Sequence, residues 1–291
     1  MKNNLIIGGS GLIGKALFKY LKKKDLACLA TSTMGDKELI KFDLKTPEDI
    51  KDLELDKIGT VYITAAISSP DICNTKFDYA WSVNVEGTSK LIEILLKKEI
   101  KIIFLSTDTV YGDHRKPFDE TMDVNPIGKY GFMKNHIEKL FLGHKNFKSV
   151  RLSYVFSRND NFTYYLSSCF CNNREAEIFH PFFRSIIYLD DVIEGLVNIS
   201  ENWREIENNI INFGGPNLVS RLELAFLLNS VIFKSLRYKE TLPNKSFFIN
   251  RPKFIAMESP ILKKILKRDL INLNEAINKE FKNFNKKNYI L

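Results

Sequence analysis

Residues 5–14 read Leu-Ile-Ile-Gly-Gly-Ser-Gly-Leu-Ile-Gly, and they decide the fold. Three apolar residues run straight into a turn built on Gly8, Gly9 and Gly11, and from Leu12 onward the apolar positions take a helical spacing. Strand, glycine turn and helix in that order open a β-α-β unit. The alternation continues outward. Residues 5–7, 26–30, 60–64, 102–105 and 149–152 read as strands, with helices predicted at about 12–24, 47–53, 76–98 and 129–143. Such a rhythm predicts an α/β protein with a parallel sheet. Past about residue 155 it gives way to longer polar insertions, a helix after Asp190-Asp191, a further apolar run at 210–213, and helices near 219–231 and 273–283.

Composition is compatible with that architecture. The chain has 291 residues, 44% of them hydrophobic and 12% aromatic, enough for a large core. No apolar run approaches the roughly 20 residues that cross a bilayer, and the opening Met-Lys-Asn-Asn-Leu-Ile-Ile-Gly-Gly reaches glycine too soon for a signal peptide, so the expected address is cytoplasmic with no membrane partner. Cys28, Cys73, Cys169 and Cys171 show no CxxC spacing, so neither disulfides nor a metal site is expected. The net charge of +8 is spread along the chain, with local clusters at Lys22-Lys23-Lys24 and from Lys279 to Lys287. Neither accompanies a nucleic-acid module, and no nucleic-acid partner is expected.

The glycine spacing is GxxGxxG, on Gly8, Gly11 and Gly14. A glycine-rich turn after the first strand lets a pyrophosphate approach the free amides of the following helix, here beside Leu12 and Ile13. This is a Rossmann-type dinucleotide fingerprint. An acidic residue at the end of the second strand would favour NAD by holding the ribose hydroxyl. The sequence offers Ala30-Thr31-Ser32-Thr33 instead, with Asp36 late and Lys37 beside it. Thr31 and Ser32 with a nearby lysine accommodate a 2′-phosphate, so NADP is preferred over NAD. Residues 1–155 are therefore expected to bind the dinucleotide. Residues 156–291 are expected to form mainly a smaller substrate-binding lobe, with some segments returning to the Rossmann sheet.

The strand at 102–105 ends in Ser106-Thr107-Asp108-Thr109-Val110-Tyr111-Gly112. In an open parallel sheet, ligands sit beyond the carboxyl ends of the strands, which makes this polar crowd a candidate site as well as a capped turn. About two dozen residues later, Tyr130 and Lys134 share a helix face. A lysine ammonium one turn away would lower the tyrosine's pKa toward a usable acid or base, with Thr107 holding the substrate oxygen.

In their order along the chain, Gly8 to Gly14, Ala65-Ala66-Ile67-Ser68-Ser69-Pro70-Asp71, Asn84-Val85-Glu86-Gly87-Thr88, Ser106-Thr107-Asp108 and Tyr130-Gly-Phe-Met-Lys134 resemble the extended short-chain dehydrogenases/reductases that act on nucleotide sugars. Within these, the chain is most similar to the dTDP-4-dehydrorhamnose reductase group. Arg184-Ser-Ile-Ile-Tyr-Leu-Asp190-Asp191 and the stretch from Asn212 to Ala225 extend the likeness to nearly the whole chain. The resemblance implies Thr107, Tyr130 and Lys134 as the catalytic set, and Ala65 and Ala66 beside the cofactor. Asp43-Leu44 resembles the pair that flanks adenine, though Asp43 also reads as a cap before Thr46-Pro47. Ser68, Asp108 and Arg184 are the expected substrate contacts, with Arg184 preferred to Arg151 for a diphosphate because a guanidinium fork matches phosphate oxygens. Trp81 reads as helix packing, and relatives of this kind often form homodimers through that helix.

The implied activity is reduction of a 4-keto group on a nucleotide-activated sugar, for surface polysaccharide sugar biosynthesis. An epimerase or 4-dehydrogenase would use the same Thr/Tyr/Lys site. A dehydratase usually adds a second acid, and Asp108 has no following glutamate. A non-catalytic NADP-binding regulatory subunit, like the one accompanying methionine adenosyltransferase, is the reading from a different class.

Overall fold

The sheet at the centre of the molecule has seven strands: β1 (Asn3–Ile7), β2 (Cys28–Ser32), β3 (Ile40–Lys41), β4 (Ile58–Ile63), β5 (Lys101–Thr107), β6 (Phe147–Leu152) and β7 (Ile210–Phe213). Their spatial order is β7-β6-β5-β4-β1-β2-β3, and every neighbouring pair is parallel. The protein thus has a Rossmann-type doubly wound fold, in a computed structural model that describes residues 2–282. The tail lysines beyond 282 and the expected end of the last helix at 283 lie outside the described residues.

Both faces of the sheet are covered, as the continuous apolar runs require. In β5, Ile102 and Phe104 join a core with Leu91, Ile92 and Leu95, while Ile103 and Leu105 join another with Leu17, Val192 and Leu196. The chain runs outward from β1 to β3, then crosses back to place β4 on the other side of β1. Beyond the carboxyl ends of β1 and β4 this reversal leaves the crevice in which doubly wound sheets take their ligands.

The helix expected over 76–98 runs from Phe77 to Lys97, with a wide π turn at Ser82–Gly87 inside it, after a separate short helix Pro70–Thr75. The π turn comes with tertiary contacts. Asn84 exchanges two hydrogen bonds with the Ile67 backbone, at 2.8 and 2.9 Å, and Gly87 is pressed so close to Leu44 that a Cβ would lie 1.8 Å from its carbonyl oxygen. The helix expected over 47–53 is a 3-10 segment, Pro47–Asp52.

A second, four-stranded sheet is assembled from distant pieces, in the order Leu218–Ser220, Phe183–Ser185, Phe254–Met257 and His114–Phe118. A separate apolar core, including Phe156, Leu166, Leu224 and Ile277, supports this side of the molecule. No helix among the described residues is long and apolar enough to cross a membrane.

Candidate active site

A cleft of about 460 Å³ lies beyond the ends of β1 and β4. Its wall includes Gly8, Gly11, Leu12 and Ile13 from the first turn, Thr31 and Ser32 from β2, and Asp43 and Leu44. Ala65, Ala66 and Ser68 follow β4, and Tyr130 and Lys134 close the far side.

The three glycines of the fingerprint do different work. Gly8 has φ +100°, and a Cβ there would meet the Ala65 amide nitrogen at 2.7 Å. One at Gly14 would meet the Gly8 carbonyl oxygen at 2.1 Å. These two let the turn fold tightly against the sheet. Gly11 has only Gly8 oxygen near, at 3.6 Å, and precedes the helix Leu12–Lys23, whose first turn has neither an acidic residue nor a side-chain cap. Its leading amides are left for an anion, so the turn fits a dinucleotide pyrophosphate.

The end of the cleft beside β2 is held by its own loop. Ser32 Oγ accepts from the Gly35 amide at 3.0 Å. Asp36, the late acid, spends Oδ1 on the amides of Glu38 and Leu39. Asp43 does not cap the segment at Pro47; its Oδ1 accepts from the Lys45 amide at 2.9 Å while the residue lines the cleft.

Tyr130 and Lys134 lie on the helix Gly128–Phe141, which packs against the turn after β5 so closely that a Cβ at Gly131 would lie 2.9 Å from Thr109 Oγ1. Lys134 is buried, donates from Nζ to the Leu105 carbonyl at 2.7 Å, and sits 4.4 Å from the Phe104 ring centre. Its ammonium stands 5.9 Å from the Tyr130 ring centre. The expected pKa tuning is corrected here. Burial pushes Tyr130 well above its ordinary value, with Cys73 and Asp108 adding to the rise. Burial also brings Lys134 down to about 7, against the opposing pull of Glu138. For both groups the loss of water around the side chain is the largest cause, and it disfavours the charged form.

Thr107, Asp108 and Arg184 do not line this cleft; they form a polar network directed toward the second sheet. Thr107 Oγ1 donates to Asp108 Oδ1 at 3.3 Å, and Ser153 Oγ donates to Asp108 Oδ2 at 2.9 Å. Arg184 Nε lies 3.6 Å from the same Oδ2. Burial raises the Asp108 pKa, while Arg184, Ser153 and Thr107 oppose it. Arg184 is itself buried, donating to the Phe183 and Pro252 carbonyls at 2.6 and 2.9 Å. The guanidinium assigned by sequence to a diphosphate is thus turned inward on protein partners. Arg151 is a buried structural cation, joined to Glu138 at 2.7 Å and laid over the Tyr111 ring.

Several residues escaped sequence reasoning. Ser106 Oγ is buried in the cleft wall without a hydrogen-bond partner; its place at a strand end beside Thr107 was the available signal. Arg221 and Arg251 join Arg184 around Phe182 and Phe247. The Arg184 and Arg221 guanidinium carbons lie 4.2 and 4.6 Å from the Phe182 ring centre, and that of Arg251 lies 4.5 Å from the Phe247 ring centre. The two rings are 5.6 Å apart. Burial lowers the Arg184 pKa to about 10, with the charges of Arg221 and Arg251 contributing against Asp108. Arg221 Nε has no partner. Arg221 lies within the Asn212–Ala225 stretch of the family resemblance but was not singled out there, and Arg251 carried no signal of its own. His114 bonds the Tyr111 carbonyl at 2.9 Å and packs on Phe118, and Trp81 packs with Phe77, Phe132 and His136.

Known proteins resemble the chain at the level of sequence and of fold. It is 26% identical over 259 residues to an ADP-L-glycero-D-manno-heptose-6-epimerase of Brachyspira hyodysenteriae, covering 78% of this chain and 80% of that one. It is 25% identical over 241 residues to a dTDP-4-dehydrorhamnose reductase of Aggregatibacter actinomycetemcomitans, covering 78% of each. The structure of a UDP-glucose 4-epimerase from Thermotoga maritima, with UDP-glucose, superposes with a TM-score of 0.81 at 22% identity, covering 98% of this chain and 99% of that one. The family match spans residues 4–214, from the first strand through the seventh: the chain belongs to the NAD dependent epimerase/dehydratase family.

Proposed function

We propose that this protein is an NAD(P)-dependent oxidoreductase that reduces a 4-keto group on a nucleotide-activated sugar, in the making of surface polysaccharide sugars. One observation carries the reading: a glycine-turn cleft shaped for a dinucleotide also holds Tyr130 and Lys134, with Thr107 one residue past its wall. The nicotinamide, when bound, would supply or take the hydride. Gly8, Gly11, Leu12 and Ile13 would hold the pyrophosphate, Asp43 and Leu44 would flank the adenine, and Ala65, Ala66 and Ser68 would line the path inward. Lys134 would bind the nicotinamide ribose hydroxyls. Tyr130 would give the substrate oxygen its proton, with the Thr107 hydroxyl holding that oxygen. Thr31 and Ser32, with Asp36 turned into its own loop, favour NADP; the family description favours NAD.

The substrate anion would enter at Arg221 and Arg251, while Arg184 stays held by Asp108 and two backbone carbonyls. Two guanidinium groups beside two phenylalanines, one with an orphaned Nε, offer a diphosphate positive charge and N–H donors. An epimerase using the same residues is the second reading, favoured by the family and by epimerases among its relatives.

The test is to supply NADPH or NADH with nucleoside-diphosphate 4-keto sugars and follow the loss of reduced nicotinamide absorbance. Oxidation dependent on the sugar is expected. A purified protein carrying bound NAD that interconverts sugar epimers without added cofactor would replace reduction with epimerisation, and binding of cofactor without either reaction would overturn both.

A further inference from the structure

Two of the three clustered arginines face carboxylates, and the two pairings differ in kind. Asp108 meets Arg184 inside the fold, where the side chains are 6% and 9% exposed. Asp71 reaches Arg251 from outside, its Oδ2 2.7 Å from Nη2, with the aspartate 71% exposed and the arginine 14%. Asp71 lies in the first turn of the helix Pro70–Thr75, three residues past Ser68 of the cofactor cleft. Arg251 belongs to the opposite side, where its Nη1 donates to the Phe247 carbonyl at 3.4 Å. Beside it, the Asn250 carbonyl is packed against Gly128, where a Cβ would come within 2.5 Å, at the start of the helix carrying Tyr130 and Lys134. The ion pair therefore ties the rim of the cofactor cleft to the arginine cluster.

A buried pair is costly to break, because the remaining charge is stranded away from water. An exposed pair is worth only about 0.2–1 kcal/mol and exchanges partners readily. Once released, Asp71 would remain solvated at a helix amino terminus, which favours its negative charge. We propose that Asp71 is an internal stand-in for the anionic group of the substrate, occupying Arg251 until a nucleoside diphosphate displaces it. This rests on the diphosphate reading of the arginine cluster given above. Its consequence has an unusual sign: Asp71 competes with the ligand, so removing its charge strengthens binding, whereas loss of a merely structural contact would weaken it or leave it unchanged.

The experiment is calorimetric titration of ADP, GDP, CDP, UDP and dTDP into the full chain, with excess NAD or NADP present. Wild type, Asp71→Asn, Arg251→Gln and the double variant are compared. Asp71→Asn should bind the preferred nucleotide about two- to fivefold more tightly. Arg251→Gln should bind it about tenfold more weakly, and the double variant no more tightly than Arg251→Gln. If Arg251→Gln weakens binding while Asp71→Asn matches or falls below wild type, the stand-in is overturned and the diphosphate reading stands. If Arg251→Gln binds as well as wild type, the stand-in is likewise overturned. If neither wild type nor Asp71→Asn binds any of the five nucleotides, both readings fall.

Discussion

The cofactor cleft and the arginine cluster meet at the carboxyl end of β5, yet they recognise charge in different ways. The cleft offers backbone: a glycine turn, open helix amides and a few hydroxyls, with the Lys134 pKa brought down to about 7 by burial. The cluster offers permanent guanidinium charge, two members of it held by Asp108 and Asp71. A backbone cradle is specified by chain geometry and tolerates no added atom where it packs on itself, at Gly8 and Gly14, whereas a side-chain cluster is specified by which distant segments meet, and it tolerates exchange of partners. The difference teaches that substitutions on the two sides should fail in different currencies: chemistry and folding in the first, ligand affinity in the second.

Substituting Tyr130→Phe should break the first side most severely. Turnover is expected to fall by about 10²–10⁴-fold with dinucleotide affinity largely kept, as read by steady-state rates beside cofactor titration. A near-normal rate would remove Tyr130 from proton transfer.

Next come the glycines. Gly14→Ala places a methyl group against the Gly8 carbonyl, where the space is 2.1 Å, and should destabilise the fold by roughly 1–3 kcal/mol in urea unfolding. Gly11→Ala has room, so it should cost less than about 1 kcal/mol while weakening dinucleotide binding. Equal destabilisation by both would erase the division of labour between them.

Lys134 gives a pH test that needs no substrate. Its folded pKa of about 7 lies below the ordinary lysine value of 10.5. Between those values the unfolded chain binds the proton and the folded chain does not, so the lysine's effect is to make stability rise with pH across that window. Below about pH 7 both states carry the proton and the dependence ends. Wild type should therefore lose stability relative to Lys134→Met as pH falls from about 9.5 to 7, by about 3 kcal/mol. Urea unfolding of both proteins at the two pH values measures the difference, and parallel curves would refute it.

On the second side the smallest effect is expected. Arg221→Gln should weaken nucleoside diphosphate binding by about three- to tenfold and leave dinucleotide binding unchanged. A matching loss of dinucleotide affinity would show that the two regions do not act independently.

The fold was legible because its signals are local. Apolar runs, helical spacing and a glycine turn place β1, β2, β4, β5 and β6, together with the crevice between β1 and β4, within short stretches of chain. The π turn within the helix at 76–98 was not legible, since it comes with Asn84 turning to Ile67 and Gly87 pressing on Leu44. Tyr130 and Lys134 could be nominated from spacing, but their pKa values could not, because desolvation depends on everything packed around them.

By itself, then, the sequence determined the order of strands and helices, the family likeness and the residues nominated for cofactor and proton transfer. Contiguous residues suffice for those, because backbone preference and side-chain period act over a few positions. Only the tertiary structure decided that Arg184 turns inward to Asp108, that Arg221 and Arg251 join it around two phenylalanines, and that Asp71 reaches Arg251 across 180 residues of chain. Charges so far apart in sequence become partners only when packing brings them together, and the strength of their attraction depends on how much water that packing leaves between them.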